Sequence, residues 1–271
     1  MPELPEVETI RRSLVPHLAG DGIAAVPLLD PHAVAEPDPA VIVALLPGRR
    51  VSAIRRRAKY LVFDLENLYL VVHLRMSGRL KLVRPVEDMR YLRAQWNLDS
   101  GRVLCFYDVR RFGRIWLVDD ARLAELFAPL GPEPFDPGLT AGILRERLAR
   151  HTTTLKALLL NQHFIAGLGN IYVDEVLHAC KLHPRRPANA LDEKETAALL
   201  ATTRQILRAA IANGGTTFDA VYSDAEGRPG RHREHLAVYR RTEEPCLTCG
   251  TPIERIVVAQ RGTHLCPQCQ H

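Results

Sequence analysis

The sequence predicts an α+β protein, on three observations. An amphipathic helix opens the chain, short β-rich runs fill the stretch from Arg50 to about Val118, and helical periodicity takes over beyond residue 140 before four clustered cysteines. The opening helix is set by Leu4, Val7, Ile10, Leu14 and Leu18 at helical spacing, with Pro5 in the first turn, where a missing N–H costs nothing. It should run from about Pro5 to His17, leaving Met1, Pro2 and Glu3 on its positive end. The Pro- and Ala-rich PLLDPHAVAEPDPA then reads as loop. YLVFDLE, LYLVVHL, RLKLV, RVLCFYD and RIWLV read as strands, punctuated by Asn67, Ser77-Gly78, Asp99-Ser100-Gly101 and Gly113. That spacing suggests an antiparallel sandwich or barrel.

LGPEPFDPG, at 130–138, has three prolines, two glycines and no periodicity, so a domain linker is expected there. Helices follow at about 140–149, 154–162, 170–180 and 192–213. The polar NGGTTFDAVYSDAEGRPG then leads into the cysteine-bounded tail. The expected division is 1–135, 136–240 and 241–271.

Composition narrows the function classes. Of 271 residues, 46% are hydrophobic and 25% charged, ordinary for a globular protein, and no apolar run reaches membrane-spanning length. Lys and Arg exceed Asp and Glu by 36 to 31, a formal charge of +5 that permits a polyanionic partner. The charge is grouped: Arg55, Arg56, Arg57 and Lys59; Arg110, Arg111 and Arg114; Arg228, Arg231, Arg233, Arg240 and Arg241. Cys105 and Cys180 stand alone as small hydrophobes.

The remaining cysteines, Cys246, Cys249, Cys266 and Cys269, form two C-x2-C pairs sixteen residues apart. This is the spacing of a closed tetrahedral zinc site with no open position for catalysis. Between the pairs, IERIVVA and THLC can pair about a turn at Gln260-Arg261-Gly262, placing the Arg261 guanidinium at the tip of a narrow ribbon suited to DNA. Upstream, TTTLKALLLNQHFIAGLGNIYVDEVL holds two helical runs joined by a Gly-rich turn, with Asn170 at the expected cap and Lys156 nearby. A helix start of this kind can receive a phosphate on its backbone N–H groups.

MPELPEVET, HLRMSGR, DVRRFG, AGLGNIYVDE and the C4 hairpin occur in the order and spacing of one family. Over essentially its whole length the chain resembles the formamidopyrimidine-DNA glycosylases, bifunctional enzymes that remove oxidised purines and cleave the abasic strand by β,δ-elimination. The resemblance implies an N-terminal helix on an antiparallel β-sandwich, then a helical helix–two-turn–helix domain with a zinc-bound hairpin, and DNA in the cleft between the domains. It implies one structural zinc, a duplex DNA partner with an oxidised purine or abasic site, a monomer, and a bacterial, nucleoid-associated cytoplasmic location.

The same resemblance carries roles over to residues. Removal of Met1 would free the Pro2 amine; α-amino groups titrate at about 7.7–8.0 against about 10.4 for lysine, so a useful fraction is nucleophilic near neutrality. Glu3 matches the acid that protonates the deoxyribose ring oxygen, and Glu6 a residue that positions this end. Met76 and Phe112 match the wedge that fills the stack after base flipping, and Arg110 the group that binds the orphaned cytosine. Lys59, His73, Asn170 and Arg261 match phosphate clamps, Lys59 and Arg261 counting with Pro2 and Glu3 among the catalytic residues, with Lys156 and Tyr239 as further DNA contacts. Thr216 and Thr217 match the start of the lesion-recognition loop. Asp219 stands where a basic residue is often found, and Asn161 replaces an aspartate usual before Gln162. The competing expectations are an endonuclease VIII-like glycosylase for oxidised pyrimidines and a non-catalytic protein that binds damaged DNA.

Overall fold

The structure is a computed structural model that describes residues 2–86, 88–218 and 222–271. Met1 and Asp219, on which the processing and loop expectations bear, lie outside the described residues. The chain packs as two compact units: Met1–Pro129 with Ile211–Arg233, and Leu130–Ala210 with Glu234–His271. The segment 211–233, grouped in the sequence with 136–240, therefore belongs to the first unit. Tyr222 and Ala225 explain why, since both are buried in that unit's hydrophobic core.

The first unit opens with α1 (Leu4–Leu18), whose Val7, Ile10, Leu14 and Leu18 enter the core as their spacing requires. Two sheets share that core. One orders β1 (Ile23–Leu29), β7 (Leu92–Leu98), β8 (Val103–Asp108) and β6 (Gly78–Val83), all antiparallel. The other orders β2 (Val34–Glu36), β9 (Arg114–Val118), β5 (Leu68–His73), β4 (Tyr60–Leu65) and β3 (Ala53–Arg57), antiparallel but for the short parallel β2–β9 pair. This is a sandwich rather than a barrel. β5 and β9 are buried on both faces because α3 (Asp120–Phe127) covers the outer one, packing Leu123, Leu126 and Phe127 on Val71 and Trp116.

Three elements fall where loop was expected. β1 contains Pro27, which sits on an edge strand within an irregular stretch of register between Ala25 and Leu28, where a missing N–H is tolerated. α2 (Pro39–Leu45) starts at Pro39 with the Asp38 side chain capping Ala40 N–H. β2 is only three residues long.

The second unit is helical. It holds α4 (Ala141–Ala149), α5 (Leu155–Leu160), α6 (Asn170–Ala179) and most of α7 (Glu193–Ala212), followed by the hairpin β10 (Glu254–Val258) and β11 (Arg261–Leu265). The turn of that hairpin is Ala259-Gln260, both at positive φ, and Arg261 already pairs with Val258. This corrects the expected Gln260-Arg261-Gly262 turn: a two-residue connection with both φ positive matches the strand twist, so the strands run one step closer to the tip. Asn170 is likewise not the cap of α6. Gly169, extended at φ −140°, holds that position, and Asn170 is the first helical residue.

Candidate nucleic-acid interface and catalytic centre

In the first unit, the amino end is held rather than frayed. Pro2 is buried, and Glu3 and Glu6 are 2% and 1% exposed. Glu3 is the N-cap of α1 and forms a capping box with Glu6, whose Oε2 accepts from the Glu3 N–H at 2.7 Å. Glu6 Oε1 accepts from the Thr216 N–H at 2.8 Å, tying the amino end to the segment after α7. The Tyr222 hydroxyl lies 3.2 Å from the Glu6 carbonyl. Gly215, at φ +79°, lies so near that a Cβ there would sit 3.0 Å from Glu6 Oε1. Thr216 is buried, and the Thr217 hydroxyl donates to the Tyr222 carbonyl at 3.0 Å and accepts from Gly230 N–H at 2.8 Å. Both threonines thus build the base of the loop.

Met76, Arg110 and Phe112 come together at the surface. Met76 and Phe112 are 40% and 48% exposed; Arg110 places a guanidinium nitrogen 3.7 Å from Met76 Sδ and its charge 5.3 Å from the centre of the Phe112 ring. Beneath them lies Asp108, 1% exposed, whose role the sequence reading missed. Its Oδ1 accepts from the Ser77 hydroxyl at 2.5 Å and Arg110 N–H at 3.2 Å, and its Oδ2 from Gly113 N–H at 2.7 Å. One carboxylate therefore pins the turn carrying Met76 to the turn carrying Arg110 and Phe112. Its only sequence signal is its place at the head of DVRRFG.

Lys59 and His73 are neighbours, both buried. Lys59 follows Ala58, at φ 51°, in the tight turn from β3 to β4. Burial, with the positive charges of Arg75 and Lys59, pushes the His73 pKa down to about 3, so its ring is neutral near pH 7. Nδ1 accepts from Arg75 N–H at 3.0 Å, which leaves the single ring proton on Nε2 as a donor.

In the second unit, Asn170, Lys156, Arg261 and Tyr239 gather about β11. Lys156 is fully buried, its ammonium 2.5 Å from Asp174 Oδ1 and 3.3 Å from the Gly262 carbonyl. This corrects its expected place as a surface DNA contact: in a dry site a lysine stays charged only beside a carboxylate, and Asp174 supplies it. Asp174 Oδ2 also accepts from His264 N–H at 2.9 Å, and the Asn170 Nδ2 amide donates to the Gly262 carbonyl at 2.9 Å. Arg261, one residue before, is exposed. Tyr239 packs edge-on against the His264 ring at 4.9 Å, and its N–H joins those of Ala237 and Val238 on the buried Glu175 carboxylate at 2.7–3.0 Å. Between α5 and α6, Gln162 ties the turn through the Leu160 and Leu168 carbonyls and Gly167 N–H. Asn161 Oδ1 accepts from His163 N–H at 3.0 Å, so the uncharged residue still orders this turn.

Cys246, Cys249, Cys266 and Cys269 place their sulfurs within 4.8 Å of one another, with neighbouring pairs at 3.4–4.0 Å. A tetrahedron with Zn–S bonds of about 2.3 Å needs sulfurs about 3.8 Å apart, so the four fit one structural zinc.

Three family models match the chain in succession: the formamidopyrimidine-DNA glycosylase N-terminal domain over residues 1–115, the H2TH domain of the same enzyme over 130–221, and a zinc finger found in FPG and IleRS over 243–271. A formamidopyrimidine-DNA glycosylase of Symbiobacterium thermophilum is 46% identical over all of this chain and 89% of its own length. A Lactococcus lactis FPG mutant in complex with DNA containing Fapy-dG superposes with a TM-score of 0.93 at 35% identity, covering both chains completely. The wild-type Lactococcus lactis protein, in complex with DNA containing an oxidised pyrimidine, gives 0.92 at 36% identity with the same coverage. The chain belongs to the formamidopyrimidine-DNA glycosylase family.

Proposed function

We propose that this protein, a bifunctional DNA glycosylase and abasic-site lyase, excises oxidised purines such as 8-oxoguanine and formamidopyrimidines from duplex DNA. The observation that carries the reading is the buried Pro2–Glu3 pair at the positive end of α1, with Glu6 locked between it and Thr216. A binding protein needs neither a terminal amine nor a buried acid there.

With Met1 removed, the Pro2 nitrogen attacks C1′ of the damaged nucleoside. The C1′–N bond breaks and its electron pair leaves on the base, which takes up a proton. Glu3 protonates the ring oxygen; the sugar opens and C1′ becomes an iminium carbon bonded to Pro2. The iminium accepts the electrons released when a C2′ proton is lost, expelling the 3′ phosphate. A second elimination expels the 5′ phosphate, and water frees Pro2. Glu6 is a positioning residue, since both its carboxylate oxygens are held by backbone N–H groups.

Met76 and Phe112 fill the space left by the flipped base, and Arg110 offers paired donors to the orphaned cytosine. Neutral His73 gives Nε2–H to a phosphate, with Lys59 beside it. Arg261 and the Asn170 amide supply the second unit's phosphate contacts, and Lys156 supports them from below. One structural zinc holds the hairpin. The protein works as a monomer on nucleoid DNA in the bacterial cytoplasm.

The test uses untagged protein, a duplex with one 8-oxoguanine opposite cytosine, and borohydride. The expected result is a covalent adduct that Pro2→Gly sharply reduces or removes. An adduct only with an oxidised pyrimidine would move the protein to the endonuclease VIII-like reading. No adduct with either lesion, from protein confirmed to begin at Pro2, would leave a non-catalytic damage binder.

A further inference from the structure

Asn170, Asp174 and His178 recur every fourth residue along α6, so they form one polar stripe on a helix that is otherwise largely buried and apolar. Each meets the cysteine-bounded hairpin region at a different height. Asn170 donates to the Gly262 carbonyl near the tip, and Asp174 accepts from His264 N–H halfway along β11. His178, 7% exposed, points Nε2 at Cys246 Sγ, 3.5 Å away, at the cysteine end.

We propose that His178 is an outer-sphere hydrogen-bond donor to the zinc-bound Cys246 thiolate, a positioning residue that couples the metal site to α6. His178 is not a fifth candidate ligand: the four sulfurs alone lie within 4.8 Å of one another and complete a tetrahedral shell. A zinc-bound thiolate offers only lone pairs, so the ring atom facing it must carry the proton. Thr248 N–H, 3.4 Å from the same sulfur, is a second donor, and Cys249 N–H reaches it as well, so His178 is its one side-chain N–H donor among these three. N–H donors withdraw electron density from a thiolate, which lowers its donor level and its exchange with competing reagents. Gln270 braces the second cysteine pair by a different route, accepting from Cys266 N–H and donating to the Leu182 carbonyl, both at 2.9 Å. The Cys246 side thus relies on a side chain of α6, and the Cys266 side on the loop just beyond that helix.

The experiment uses the full zinc-loaded chain and its cobalt-substituted form. His178→Phe keeps a ring of similar bulk and removes the donor. It should release zinc to excess chelator on the order of tenfold faster than wild type, the low end of the loss typical for such partners. The thiolate-to-cobalt charge-transfer band should move to lower energy, and His178→Gln should restore part of both effects. Unchanged band energy and a release rate within about twofold of wild type would overturn the proposal. If the Phe variant fails to fold, wild-type protein loaded with cadmium-113 decides by NMR. Scalar coupling between the metal and the proton on His178 Nε2 supports the bond, and an unprotonated Nε2 refutes it.

Discussion

The two units arrange their polar residues to opposite ends. In the first, an exposed trio, Met76, Arg110 and Phe112, is presented on two turns, and the buried Asp108 carboxylate beneath it ties those turns together. In the second, the groups that resemble DNA contacts are tied inward: Lys156 onto Asp174, and one Asn170 amide hydrogen onto Gly262, its other hydrogen left for a phosphate. Only Arg261 is left fully outward there. Each unit nevertheless uses the same device, a buried carboxylate under an exposed tip. A residue matched to a DNA-binding motif can therefore be the contact or the support beneath it, and the partners its polar atoms already hold inside the fold decide which.

Four measurements would break or sharpen that comparison. Glu3→Gln should reduce the rate of base release by about 10²–10⁴-fold, the usual contribution of a positioned acid, with little change in duplex affinity. Equal losses in both would demote Glu3 to a structural cap. Lys156→Met should destabilise the second unit by about 3 kcal/mol, because the buried Asp174 loses the ammonium on Oδ1 and keeps only the His264 contacts on Oδ2. Well below its melting range it should keep the wild-type salt dependence of DNA binding, whereas Arg261→Ala should flatten the slope of log K against log salt by about 0.9. A flattened slope for the lysine variant would return Lys156 to the phosphates.

Asp108→Asn should cost about 2 kcal/mol in thermal unfolding, since it turns an amide N–H toward Gly113 N–H in place of an acceptor. Hydrogen exchange at Arg110 and Gly113 should rise together; a rise at one alone would mean that the carboxylate does not couple the two turns. The smallest effect concerns Glu8. Burial alone would raise its pKa, but hydrogen bonds from Arg11 and Arg12 and the nearby Arg56 charge bring it down to about 2 from 4.5. The stability it contributes is complete above pH 4.5 and lost as pH falls toward 2, about 2 kcal/mol after screening, because its Arg11 and Arg12 partners reach solvent. Glu8→Gln should remove that part of the acid transition, and an unaltered acid titration would exclude it.

Much of the fold was legible because its periodicities are strong. The stripe from Leu4 to Leu18, the strands from Tyr60 to Val118 and the helices beyond residue 140 all fold as their patterns require. β1 was hidden by Pro27, whose breaking power is void on an irregular edge strand. α3 is a two-turn helix whose short stripe, Leu123, Leu126 and Phe127, covers the outer sheet face, and too few turns of it repeat for its periodicity to stand out. Within the candidate site, residues in contiguous motifs were legible, and their supports were not. Asp108 lies 31 residues from Ser77, Lys156 lies 106 from Gly262, and His178 lies 68 from Cys246. The Asn170–Asp174–His178 stripe was visible as a four-residue recurrence, but a polar stripe does not name what it faces.

What the sequence by itself determined is therefore local: the element types and the four cysteines spaced for one zinc. Each follows from periodicity within one segment or from a spacing that only a metal satisfies. Tertiary structure alone decided which charges face water and which are paired in the dry interior. A side chain's ionisation and hydrogen bonds depend on neighbours brought close by distant strands and helices, and the free energy of a buried charge is set by those neighbours rather than by the residues beside it in the chain.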